Sequence, residues 1–207
     1  DGHAFISRGN GTIFGRAVQA LKAGNPFGFM GEIKSYRFDL INEIHNLKYG
    51  EFVRDPFIKS FSNYDRLQEY VEDMNDRELK SRIKVVEEYQ QEIPLLIEKI
   101  EKNALPVSKN GFRKDILILT TAHKAKGTEF DTVQLASDFA SFFEKEKDGD
   151  SKDPNLEPTL VDFEALSPSA MEEFNLQYVA ATRAQKKLHL SDQISEVMQY
   201  EMQLKNS

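Results

Sequence analysis

The sequence predicts an α/β fold: a parallel β-sheet interrupted by a mostly helical stretch. Three observations predict it. Residues 116–119, ILIL, are an apolar, β-prone run without alternation, the pattern of a strand buried on both faces of a parallel sheet. That run ends in Thr120, Thr121, Ala122 and His123, and polar groups at the carboxyl end of a buried parallel strand sit where open α/β sheets bind ligands. Through the middle of the chain, apolar residues instead recur at helical spacing.

Taken in order, residues 4–7 read as a strand with no preceding cap or turn. Arg8, Gly9, Asn10 and Gly11 make a turn, and Thr12 is expected to cap a helix. Ile13, Ala17, Val18 and Leu21 follow helical spacing, and Gly24 ends the helix. Residues 26–30 read as a short strand. Ile33, Ile41, Ile44 and Leu47 then share a helical face. Leu67, Tyr70, Val71 and Met74 form a second stripe, and Leu79, Ile83, Val86 and Ile93 a third. Pro94 starts or kinks a helix whose apolar face continues through Leu96, Ile97 and Ile100. Residues 106–111 read as a turn or link. After the 116–119 strand, 132–136 reads as the next strand. Residues 138–169 lack period and are rich in charged residues, Pro and Ser, which predicts a mobile surface loop. From Met171 the pattern is helical, with Phe174, Tyr178 and Ala181 on one face and Glu172 and Glu173 favouring its amino end. Residues 187–190 read as a strand, and Asp192 caps a final helix.

Composition bounds the function. The chain of 207 residues has no cysteine, which excludes disulfides and cysteine zinc sites and fits a reducing compartment. Its four histidines form no ligand spacing. No window approaches a membrane span and no charged-then-apolar leader is seen, so the expectation is an intracellular protein with no membrane partner. The net charge of −7 argues at first against nucleic acid. Its distribution argues otherwise: residues 138–173 hold eleven acidic residues and three lysines, so the rest of the chain is close to neutral.

Three stretches carry a resemblance. Residues 116–130, ILILTTAHKAKGTEF, resemble motif V of the UvrD/Rep-like superfamily 1 DNA helicases, TxHxAKGxEF, through Thr121, His123, Ala125, Lys126, Gly127, Glu129 and Phe130. Residues 172–191, EEFNLQYVAATRAQKKLHLS, resemble motif VI through Glu172, Glu173, Leu176, Tyr178, Val179, Ala180, Thr182, Arg183 and Ala184. The strand, arginine, asparagine and helix at 4–21 resemble motif IV, with Arg8 and Asn10 in the matching places. There the family's adenine-stacking tyrosine is replaced by Ser7. The stretch DPFIKSF at 55–61 looks most like the F-box DNA helicase branch and its bacterial relatives, although no F-box is visible.

The resemblance implies a RecA-like domain, the second of two in such helicases. Its expected bounds are 1–24 plus 113–207, with an acidic loop at 138–170 and a helical subdomain inserted at 25–112. It implies that Arg183 is the arginine finger, that Arg8 is its companion on the γ-phosphate, and that Glu129 accepts a hydrogen bond from the ribose. Two guanidiniums can hold phosphate oxygens at defined angles, and phosphoryl transfer depends on such positioning. Thr121, His123, Lys126 and Gly127 are implied to face single-stranded DNA, mostly at its phosphates, so little sequence is read. Taken singly, each residue also has an ordinary reading. Glu129 serves as a salt-bridge partner, His123 as a buried histidine, Arg183 as a cation neutralising a helix dipole. Three motifs in order favour the helicase.

The chain contains no GxxxxGK[ST] phosphate loop and no acidic magnesium motif. ATP and Mg2+ are therefore expected to be held mainly by an N-terminal RecA-like domain of the same protein. By itself, the 207-residue piece is expected to turn over no ATP. The expected partners are that domain, single-stranded DNA and duplex junctions. A degenerate helicase half that only binds DNA or protein is the alternative, and a helicase–nuclease subunit is a third reading.

Overall fold

Five strands carry the frame: β1 (His3–Ser7), β2 (Phe27–Phe29), β3 (Leu117–Thr121), β4 (Phe130–Leu135) and β5 (Ala184–His189). They form one sheet in the order β2-β3-β1-β4-β5, and every neighbouring pair is parallel. The structure is a computed structural model that describes residues 2–108, 112, 113, 115–143 and 160–205. Residues 144–159 of the expected acidic loop, and 109–111 of the expected link, lie outside the described residues.

Helices cover both faces, as a parallel sheet requires. Strand β1 shows why: Phe5 joins one core cluster, while Ala4 and Ile6 join the other. The first cluster is closed by α1 (Asn10–Ala23), α2 (Phe38–Tyr49), α4 (Tyr64–Asp73), α5 (Arg77–Tyr89) and α6 (Ile93–Asn103). Ile13, Phe14, Ile41, Ile44, Leu67, Ile93 and Ile100 are fully buried there. Each contributes about 1.5–3 kcal/mol by leaving water. The second cluster is closed by α7 (Ala122–Ala125), α8 (Pro168–Ala181) and Ile194 of α9 (Asp192–Lys205). Among the described residues no helix is long and apolar enough to cross a membrane.

Several local readings differ from the structure. Helix α1 begins at Asn10 behind an extended Gly9, so Thr12 lies inside its first turn and caps nothing. Its end does follow the sequence: Gly24 is left-handed (φ 68°) and returns its N–H to Ala20 and Leu21. The short strand at 26–30 is β2, which pairs with β3 and forms one edge of the sheet. Met74, placed in a core stripe, is 62% exposed because α4 stops at Asp73. Tyr178 is 70% exposed, since α8 turns Gln177 and Ala180 inward instead.

Candidate functional site

The carboxyl ends of β1 and β3 lie side by side, with Ser7 opposite Thr121. Arg8 and Gly9 leave β1 here, and their backbone N–H groups donate to the two carboxylate oxygens of Asp138 at 2.9 and 3.0 Å. Asn10 donates its backbone N–H and its amide to Glu78 of α5, at 3.2 and 3.0 Å. The free N–H groups at a helix start attract anions. At α1 that demand is met by two carboxylates remote in sequence, which explains why no local capping residue is needed.

The Arg8 side chain is also engaged. Its Nε and a terminal nitrogen donate to both oxygens of Glu173, at 3.0 and 2.7 Å, a bidentate pair. Glu78 stands 3.8 Å away on the other side, and Arg77 reaches the same Glu173 at 3.4 Å. The Arg8 guanidinium holds the Glu173 carboxyl below its ordinary range against the opposing effect of burial, and Arg77 and His123 act in the same direction. The hydrogen bond to Glu173 in turn raises Arg8 above its ordinary value. Glu173 was expected to serve the dipole of α8; it serves Arg8. Between α8 and the start of α5 lies a cleft of about 440 Å³ lined by Arg8, Arg77, Glu78 and Glu173.

Thr121 closes β3 and is buried, and α7 follows as a single turn. His123 and Lys126 are exposed on this turn. Lys124 donates to Ser35 at 3.0 Å and lies 4.9 Å from the Tyr36 ring centroid. Gly127 has φ 79°, and nothing stands within 4 Å of a side chain built there. Its glycine is required by the left-handed backbone, not by crowding. From Gly127 the chain descends to the amino edge, where β4 begins.

Glu129 and Arg183 meet at that amino edge. The Phe130 N–H donates to the Arg183 carbonyl at 2.8 Å, joining the starts of β4 and β5. Glu129 is exposed and accepts a hydrogen bond from Gln185 at 2.6 Å. Arg183 folds back over the end of α8, donating to the Val179 carbonyl at 2.9 Å and to the Thr182 hydroxyl at 3.0 Å. This is where a cation neutralises a helix carboxyl end. Among the described residues no carboxylate pairs with Arg183, so most of its donors are uncommitted.

The predicted residues thus fall into two groups. Arg8, Thr121, His123 and Lys126 gather around the carboxyl edge; Glu129 and Arg183 share the amino edge. Arg8 and Arg183 leave the sheet at opposite ends of the strands, and each rests its guanidinium on α8. Ile6 is level with Leu135, and Ala184 with Phe130. The backbones at the two arginines are therefore about eight strand positions apart, on the order of 25 Å, but both side chains reach α8, Arg8 at Glu173 and Arg183 at Val179, about 9 Å apart along its axis. Register between non-adjacent strands decides the backbone separation, and motif spacing does not contain it.

Sequence reasoning missed Asp138, Glu78 and Gln185. Asp138 had a signal, since it stands just past the carboxyl end of a buried strand. Glu78 and Gln185 had none, being charged or polar positions on otherwise ordinary elements.

A model of the UvrD-like helicase C-terminal domain matches residues 14–194. Two curated proteins are similar over most of the chain. F-box DNA helicase 1 of Gallus gallus is 32% identical over 93% of this chain and 19% of its own length. F-box DNA helicase protein 1 of Schizosaccharomyces pombe is 27% identical over 94% of this chain and 21% of its own length. The chain spans about a fifth of the length of these relatives.

Proposed function

The chain belongs to the UvrD-like helicase C-terminal domain family, and we propose that it is the C-terminal half of an ATP-dependent DNA helicase or translocase. The observation that carries this reading is the separation of its two charged groups onto opposite edges of one sheet. A translocase half must touch a nucleotide and a strand at once, and two remote faces permit that.

At the amino edge, Arg183 supplies an arginine finger to a cleft completed by an N-terminal RecA-like domain. A guanidinium with no carboxylate partner among the described residues can rotate off Val179 and donate to phosphate oxygens. Glu129, already oriented by Gln185, accepts from a ribose hydroxyl. These side chains fit a nucleoside triphosphate; ATP supplies the phosphoanhydride whose cleavage drives the cycle, and Mg2+ is held from the N-terminal half. At the carboxyl edge, Thr121, His123, Lys126 and the Gly127 turn face single-stranded DNA. Arg8 is assigned to this group by its place: it leaves β1 beside Thr121, and its partner Glu173 also feels His123. Residues 1–24 and 113–207 then act as the motor half, and 25–112 as its helical insertion. Duplex junctions are the substrate class on which such a motor acts.

A non-enzymatic binding module is the rival reading. Its support is the occupation of Arg8 by Glu173. Arg183 argues against it, since a domain that binds no nucleotide has no use for an uncommitted arginine beside Glu129. The test is Arg183→Ala in the full-length protein. DNA-stimulated ATPase should fall by about a thousandfold or more while single-strand affinity survives. Unchanged ATPase would overturn the assignment of the finger.

A further inference from the structure

The helical insertion carries a second feature that the motor reading does not use. Phe52 is 72% exposed and Phe57 is 44% exposed, on a stretch that is otherwise tightly held. Val53 and Ile58 anchor it in the core. The buried Glu43 carboxylate accepts the backbone N–H groups of Arg54 and Asp55. Asp55 caps the short helix α3 (Pro56–Lys59) by accepting from Phe57 and Ile58 at 3.0 and 3.1 Å. Asn46 holds the Phe52 carbonyl at 3.2 Å. Phe57 is braced edge-on by Phe61 and Tyr70, with ring centroids 5.3 and 5.8 Å away. An exposed phenylalanine on a slack loop can fold inward. Here the fixed backbone holds Phe52 outward, so the apolar ring is a displayed surface.

What surrounds the rings identifies the occupant. The Lys59 ammonium lies 5.6 Å from the Phe52 ring centroid, and Arg54 is exposed between the two phenylalanines in sequence. Aromatic faces interleaved with cations suit a polymer that alternates flat rings with phosphates. An apolar interface to another domain would instead be depleted of charge at its centre. The platform is also continuous with the carboxyl edge. Lys124 of α7 bonds Ser35, the adjoining Arg37 reaches Asp55 at 3.4 Å, and Asp55 holds α3. The amino edge, where the N-terminal domain is proposed to dock, is the remote side.

We propose that Phe52, supported by Phe57 and flanked by Arg54 and Lys59, is a base-stacking platform that extends the single-stranded DNA path from α7 onto the helical insertion. This rests on the assignment of the carboxyl edge to DNA.

The test uses the full-length protein and two labelled strands of equal length, an oligothymidylate and its abasic counterpart, with binding read by anisotropy. Wild type should prefer the strand that carries bases. Phe52→Ala should lose about tenfold affinity for that strand, within the range for one stacked base. It should bind the abasic strand as wild type does, and Phe52→Trp should restore the preference. The exposed position leaves the fold intact, and an unchanged melting temperature checks this. Unchanged affinity of Phe52→Ala for the base-bearing strand overturns the platform and leaves the motor reading standing. Equal weakening on both strands, or a fall in melting temperature or ATPase without loss of the base preference, assigns Phe52 to protein contacts and also overturns it. If wild type binds neither strand, the carboxyl-edge assignment falls and the platform falls with it.

Discussion

Arg8 and Arg183 stand at opposite edges of one sheet and live in opposite electrostatic settings. Arg8 is clamped by both oxygens of Glu173, with Glu78 behind it and Asp138 on its backbone. Arg183 rests on a carbonyl and a hydroxyl, without a carboxylate among the described residues. On the proposed roles, the difference teaches how one domain can hold a clamped arginine and an exchangeable one apart. At the carboxyl edge Glu173 already holds Arg8, so on the proposed roles a phosphate must compete for that guanidinium, while His123 and Lys126 stand exposed beside it. At the amino edge Arg183 meets no carboxylate among the described residues, so on the proposed role its charge stays available to a nucleotide.

The contrast can be broken by loosening either edge. The largest effect on folding is expected from Gly11→Ala. A Cβ there would lie 2.7 Å from the Ser81 carbonyl oxygen, so α1 and α5 must move apart. That shift also draws Glu78 away from Asn10. The expected loss is about 3 kcal/mol in chemical denaturation, and an unchanged midpoint would mean the helices give way freely. Gly127→Ala should cost about 1–2 kcal/mol, because alanine must adopt φ 79° in open space. If crowding and not conformation were the reason for this glycine, the larger Gly127→Asn, which tolerates that backbone, would be worse than alanine; it should be better.

The smallest effect is the ion pair. Glu173 titrates lower in the folded chain than its ordinary value of 4.5. Its contribution is therefore present above that value and lost as pH falls through the folded one. Wild type should exceed Glu173→Gln in stability by about 1 kcal/mol at neutral pH, and the gap should close on acidification. A gap that persists in acid would mean that shape, not charge, matters at this position.

Much of the fold was legible because apolar runs and helical stripes report burial directly. Ile118 and Leu119, or Ile41 and Ile44, are buried where the pattern put them. The site was legible residue by residue, but its arrangement was not. Thr12 looked like a cap because Glu78 and Asp138, which do the work, are far along the chain. The backbone separation of Arg8 and Arg183 follows from the register of β1, β4 and β5, which no local pattern encodes. Phe52 carried no signal at all, since a lone phenylalanine in a turn ordinarily reads as core.

The most direct measurement is Arg8→Ala in the full-length protein, with single-strand affinity and ATPase at saturating DNA measured on the same preparation. Two separate edges predict about a tenfold loss of affinity, a shallower salt dependence, and an ATPase within a few fold of wild type. An ATPase collapse matching that of Arg183→Ala, with DNA affinity intact, would mean that the two arginines converge on one phosphate and would contradict the division between the edges.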